Sequence, residues 1–148
     1  AVPVVNKVDY VGEVRRDSWV STQYVKDHIG KATIIDARDP DQYFGASIDP
    51  FSDMRGHIPT ARSLPIIWVW ERDGTYRPTE FIAAMAAGVI GDDKDQEIIT
   101  YCGVGGYAAT WWFLLTQLLG YSNVKIYDGS MEAWVEESNP LVLYSWTS

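Results

Sequence analysis

The chain has 148 residues, 47% of them hydrophobic, with 20 acidic residues against 12 basic ones and a formal net charge of −8. This length fits one globular domain whose core needs no disulfide, and Cys102, the sole cysteine, excludes an internal one. With only His28 and His57 as further ligand types, structural zinc is not expected; the acidic balance argues against nucleic acid, and no apolar run reaches the roughly 20 residues of a membrane span.

Residues 1–148 read as a single domain. Residues 1–19 lack a steady hydrophobic period and are expected to form an arm along the outside of a core over 20–140, with 141–148 as a C-terminal tail. Ser21 as N-cap, apolar Tyr24, Val25 and Ile29, and a Gly30 stop predict a first helix. The β-branched run 32–36 predicts a buried strand that ends in Asp36-Ala37-Arg38-Asp39. Asp39 as cap and Pro40 in the first position then start a short helix through Phe44, closed by Gly45. Residues 46–65, broken by Pro50, Gly56, Pro59 and Pro65, are expected to be loop with a short strand at 62–64.

Residues 79–87 are dense in helix formers and should close at Gly88; 97–101 form a second buried strand that runs directly into Cys102. A helix over 107–119, a strand over 124–127 and a helix over 131–137 capped by Ser130 complete the order. Strands alternating with helices predict an α/β layer structure with a mostly parallel sheet, in which ligands sit at the carboxyl ends of the strands.

Cys102-Gly103-Val104-Gly105-Gly106-Tyr107 lies at such an end, between a strand and a helix N-terminus. Unpaired backbone amides and the helix dipole there stabilise a charged sulfur, and three glycines let the loop curl so that its amides converge. A small buried cysteine beside a tight turn is the bland alternative, and the strand, glycine loop and helix together outweigh it. The dinucleotide spacing G-x-G-x-x-G is absent. Of the seven tryptophans most are expected in the core; Trp68 and Trp70 would share a face if extended and could instead form an aromatic lip or docking face.

Asp36-Ala37-Arg38 after a strand, Arg55-Gly56-His57-Ile58-Pro59-Thr60-Ala61, the loop from Cys102, and Tyr127-Asp128-Gly129-Ser130 with Trp134 resemble, in this order, the rhodanese or sulfurtransferase domain family. The resemblance implies a three-layer fold with a central parallel five-stranded sheet and helices on both faces. It implies a cysteine that takes sulfane sulfur from a donor, holds it as a persulfide and passes it to a nucleophile, with no cofactor and no metal. Cys102 would be that nucleophile, and the amides of Gly103, Val104, Gly105, Gly106, Tyr107 and Ala108 would hold the donor and the outer sulfur.

The donor would be thiosulfate, polysulfide, mercaptopyruvate or a protein persulfide. The acceptor, a thiol, a cyanide-like nucleophile or a protein, must come from outside because the chain has no second thiol. Gly103 and Tyr107 stand where thiosulfate-adapted loops carry arginine, and Gln42 stands where the mercaptopyruvate branch has one, so polysulfide, persulfide or a protein donor fits best. The phosphatase relatives have a longer loop with an arginine, and this chain has neither.

Arg55 and Arg72, with Arg62 and Arg77 behind them, are candidates for attracting an anionic donor. His57 is expected to make structural hydrogen bonds, and Asp36 and Arg38 to form an ion pair that supports the fold. A non-catalytic rhodanese-like binding or regulatory module is the alternative function; the retained cysteine favours the enzyme. The start at Ala1 suits removal of a leader, and with the lack of spare cysteines it leans toward a periplasmic or secreted setting, although a lone thiol also suits a reducing cytosol.

Overall fold

The structure is a computed structural model that describes residues 9, 11–12 and 16–146. The proposed arm over 1–19 therefore lies largely outside the described residues. Among the described residues, nine α-helices and strands follow in the predicted order: α1 (Thr22–His28), β1 (Thr33–Asp36), α2 (Pro40–Phe44), β2 (Arg62–Ser63), α3 (Thr79–Ile90), β3 (Ile98–Tyr101), α4 (Gly106–Phe113), β4 (Val124–Ile126) and α5 (Ser130–Glu136).

The strands form a parallel sheet in the order β2-β1-β3-β4, with Ile35 opposite Arg62, Asp36 opposite Tyr101 and Thr100 opposite Ile126. Four strands are laddered, and the fifth position of the expected sheet is a single parallel bridge from Trp19 to Ile126 at the β4 edge, closed by the Val20 amide on the Ile126 carbonyl at 2.9 Å.

Alternation along the strands divides the core in two. Ile35, Ala37, Ile98 and Ile126 face α3 and α4, where Ile82, Ala86, Trp111 and Leu115 are buried. Ile34, Ile99 and Tyr101 face α1, α2 and α5, where Val25, Tyr43, Met131 and Trp134 are buried. Helices thus cover both faces, as two-sided parallel sheets require.

Several local expectations are corrected. α3 runs through Gly88 and closes at Gly91, whose φ of +100° suits glycine; burying Ile90 outweighs the roughly 0.5–1 kcal/mol that a mid-helix glycine costs. The helix after the cysteine loop is not uniform: α4 passes into a π-helical turn at Leu114–Leu118, for which the structure offers no local sequence cause. Ser130 is not the N-cap of α5 but its first residue, at φ +51°, with Gly129 in the cap position. Asp39 occupies the N-cap of α2 without making a side-chain cap bond.

The tryptophans divide, with Trp70 and Trp112 partly buried against the core. Trp111 and Trp134 are fully buried, but Trp19, Trp68 and Trp146 are exposed. Trp68 lies on a 3-10 turn at Ile66–Val69, so it does not share an extended face with Trp70. No helix among the described residues is long and apolar enough to cross a membrane.

Candidate functional site

The sheet places Cys102 one residue beyond β3 and one loop before α4. The loop is clamped from several sides. The Cys102 amide donates to Ser130 Oγ at 3.1 Å, and that hydroxyl donates to the Tyr127 carbonyl at 2.9 Å. The Cys102 and Gly103 carbonyls accept from the amides of Met131 and Glu132 at 3.0 and 3.1 Å. The first turn of α5 therefore fixes the backbone on which the thiol stands.

Gly105 is required where it lies. Its φ is +94°, and a Cβ there would come within 2.5 Å of Asp128 Oδ1 and 3.0 Å of the Asp128 carbonyl. This conformation turns the Gly105 amide onto Cys102 Sγ at 3.1 Å. Gly103 is pressed differently: a Cβ would lie 2.7 Å from Phe51 Cδ2. The amides of Gly103, Val104, Gly106, Tyr107 and Ala108 have no backbone acceptor among the described residues.

A cavity of about 270 Å³ opens beside the thiol, lined by Arg38, Asp39, Gln42, Asp49, Pro50, Phe51, Cys102, Gly103, Val104, Gly106 and Tyr107. Cys102 itself is 3% exposed, so the thiol forms part of the wall with little surface open to solvent. Of the loop residues predicted for the site, Gly103, Val104, Gly106 and Tyr107 reach the cavity. Gly105 acts from behind through its amide, and Ala108 is fully buried, with its carbonyl accepting from Thr100 Oγ1. The Tyr107 ring stands edge-on to Trp70 at 6.4 Å between centroids, so Trp70 buttresses the rim.

Arg38 is the one cationic side chain of the lining among the described residues, and it is already engaged. Its Nε donates to Asp36 Oδ1 and its Nη1 to Asp49 Oδ2, each at 3.0 Å, and its Nη2 reaches the Gly56 carbonyl at 2.8 Å. Burial opposes the charge on Arg38, but Asp36 and Asp49 outweigh it and hold the guanidinium charged well above its ordinary range. Asp36 also accepts from the buried Tyr101 hydroxyl at 2.7 Å; burial and then the Asp36 charge raise the Tyr101 pKa well above the ordinary value. The predicted Asp36–Arg38 pair thus exists and extends to Asp49, which fastens the 46–65 loop over the strand ends.

Arg55 and Arg72 do not line the cavity. Arg55 donates to the Gly45 and Ala46 carbonyls at 3.1 and 2.6 Å, and Arg72 is exposed. Arg62 donates to the Val89 carbonyl and Arg77 to that of Trp70. His57 is buried, stacked on Tyr43 at 3.8 Å, with Nδ1 placed 2.8 Å from the Tyr43 carbonyl, the structural role expected of it. A second groove of about 460 Å³, lined by Lys31 and Arg62 among others, lies at the opposite end of the strands, away from the thiol. Among the described residues no group of three or more His, Cys, Asp or Glu side chains is placed to hold a metal.

Sequence reasoning missed Asp49 and Phe51, which form one wall, and the role of Ser130 behind the thiol. Neither Asp49 nor Phe51 had a local signal: Arg38 was already matched to Asp36, and Phe51 lies in a loop without a hydrophobic period.

Comparison with known proteins bears on this geometry. The rhodanese-like domain family matches residues 21–137. A Saccharopolyspora erythraea protein provisionally named thiosulfate sulfurtransferase is 36% identical over 118 residues, covering 76% of this chain and 41% of its own. The sulfur carrier protein TtuD of Thermus thermophilus is 35% identical over 112 residues, 71% of this chain and 39% of its own. The chain thus spans about two fifths of the length of these curated relatives. Among solved structures, Tum1 of Saccharomyces cerevisiae superposes with a TM-score of 0.73 at 24% identity, covering 86% of this chain and 47% of that one. An EanB variant with ergothioneine covalently linked to a cysteine persulfide superposes with a TM-score of 0.81 at 21% identity, covering 95% of this chain and 36% of that one. The two structures speak for the fold alone; with the family match and the identities above, they establish that this chain belongs to the rhodanese-like domain family.

Proposed function

We propose that the chain transfers sulfane sulfur through a persulfide on Cys102. The Cys102 thiolate attacks the sulfane sulfur of a donor; a new S–S bond forms, and the donor's bond to that sulfur breaks with its electron pair on the leaving group. The outer sulfur then carries the negative charge beside amides that are already fixed in place, the arrangement that stabilises charge best where water is scarce. An external nucleophile removes it and restores the thiolate.

The observation that carries this reading is the Gly105 amide on Cys102 Sγ at 3.1 Å, in a loop whose other members line the adjoining cavity. A cysteine serving only as packing would need neither. The kinship with proteins named sulfurtransferase and sulfur carrier supports it further.

The donor is a persulfide, an organic polysulfide or a protein persulfide in preference to thiosulfate, which brings two negative charges on one small ion, because the loop has no cationic side chain and Arg38 is already paired. Steady-state transfer to a thiol or cyanide acceptor tests both statements. Cys102→Ser is expected to reduce transfer to background with every donor. The kcat/KM for an alkyl persulfide, which carries one negative charge fewer, is expected to exceed that for thiosulfate by about tenfold or more, the effect of one unmet charge at the site. Full activity of the Cys102→Ser variant would overturn the mechanism, and a preference for thiosulfate would overturn the donor class.

A further inference from the structure

The cavity beside Cys102 holds more negative charge than its single arginine neutralises. Arg38 is 2% exposed and commits its guanidinium nitrogens to Asp36, Asp49 and the Gly56 carbonyl. Asp49 is satisfied in turn: Oδ2 takes the Arg38 bond, and Oδ1 accepts from the amides of Phe51 and Ser52 at 2.9 and 3.3 Å. Both aspartates around Arg38 are thus fully engaged in holding the fold.

Asp39 differs from them. It lines the same cavity and stands at the N-cap of α2, yet its side chain makes no cap bond, and its Oδ1 is buried without any hydrogen-bond partner. No basic side chain among the described residues pairs with it. Burial, and then the neighbouring charge of Asp41, push its carboxyl pKa up, as expected for an acceptor deprived of donors. Gln42, three residues on, lines the cavity with it. A cap residue that makes no bond to its own helix amides, lines the cavity beside a reactive thiol and has no donor for its carboxylate is an acceptor for something that arrives with a proton or a positive charge.

We propose that Asp39 determines acceptor specificity: its carboxylate selects a thiol that carries an ammonium or another N–H donor near its sulfur and disfavours one whose second group is an anion. This rests on Cys102 carrying sulfane sulfur. The acceptor thiol attacks the outer sulfur of the Cys102 persulfide anion, and an S–S bond forms between acceptor and sulfane sulfur. The Cys102 S–S bond breaks with its electron pair retained on Sγ as thiolate, and the acceptor leaves as a hydropersulfide bearing the thiol proton. No outside oxidant or reductant enters.

The test loads Cys102 with sulfur from polysulfide and follows single-turnover discharge to cysteamine, 2-mercaptoethanol and 3-mercaptopropionate, small thiols with a cationic, a neutral and an anionic second group. The cysteamine to 3-mercaptopropionate rate ratio is expected to fall about tenfold in both Asp39→Asn and Asp39→Ser, with the 2-mercaptoethanol rate changing least. In the wild-type protein, added salt should slow discharge to cysteamine and leave 2-mercaptoethanol unaffected, a readout independent of any variant's folding. A ratio within about twofold of wild type in both variants, or no salt effect on cysteamine, would overturn the role of Asp39 while normal loading left the persulfide mechanism standing. Failure of Cys102 to load at all would remove that mechanism and this proposal together.

Discussion

At the scale of single residues, the site depends on positions where only one side chain fits. Gly105 combines a positive φ with a close approach to Asp128, and it supplies the amide that meets the thiol. Gly105→Ala is expected to reduce sulfur transfer about 10²-fold, the usual effect of losing one fixed charge-stabilising donor, and to destabilise the fold by about 1–3 kcal/mol through backbone strain. Transfer kinetics and urea midpoints measured on one preparation check both, and unchanged kinetics would show that the Gly105 amide is dispensable. This part of the site was legible beforehand, because three glycines directly after an apolar strand have few other uses. Asp39 was legible only as a helix cap; that it lines the cavity with Asp49 and Phe51 depends on the path of the distant 46–65 loop, and no local pattern records that path.

At the scale of elements, the thiol is held by the junction of β3 with α5 as much as by its own loop. The Ser130 hydroxyl joins the Cys102 amide to the Tyr127 carbonyl inside a fully buried pocket. Ser130→Ala would leave the buried Cys102 amide without an acceptor, at a cost of about 1–3 kcal/mol. The expected result is a lower urea midpoint together with slower transfer, whereas Ser130→Thr keeps the hydroxyl and should recover part of both; a wild-type midpoint in Ser130→Ala would contradict the clamp. Ser130 was read as the cap of a helix it in fact begins, since a serine before an apolar run gives the same signal in either position. α3 exceeded its expected end for a related reason: Gly88 looked like a stop, but whether a helix stops depends on what the next turn buries. The strand positions, by contrast, follow mostly from β-branched runs too short for helices, and those were read nearly to the residue, although their spatial order was not.

At the scale of the whole molecule, the sheet fixes the chemistry at its carboxyl end, while buried polar groups make the fold sensitive to pH. His57 is the clearest case. Burial holds its pKa below the ordinary 6.5, so the folded state resists a proton that the unfolded chain accepts. Its contribution is fully present above about pH 6.5 and is lost as pH falls through that value toward the lower folded one, with a slope of at most about 1.4 kcal/mol per pH unit. Urea midpoints between pH 7.5 and 5.5 should fall for the wild-type protein and fall less steeply for His57→Phe; parallel slopes would show that His57 does not set this dependence. The back of the fold could be foreseen only in part. That His57 would be structural followed from its Gly-His-Ile-Pro setting, whereas its bridge to Val142 ties the C-terminal segment to a turn 85 residues away, beyond the reach of local patterns.

The most direct measurement is the intact mass of the protein after brief exposure to polysulfide and removal of excess donor. The expected result is a gain of one sulfur atom, located on Cys102 by peptide mapping, discharged by an added thiol and absent in Cys102→Ala. A wild-type mass that stays unchanged at every donor concentration, or an equal gain in Cys102→Ala, would contradict sulfur transfer at this site.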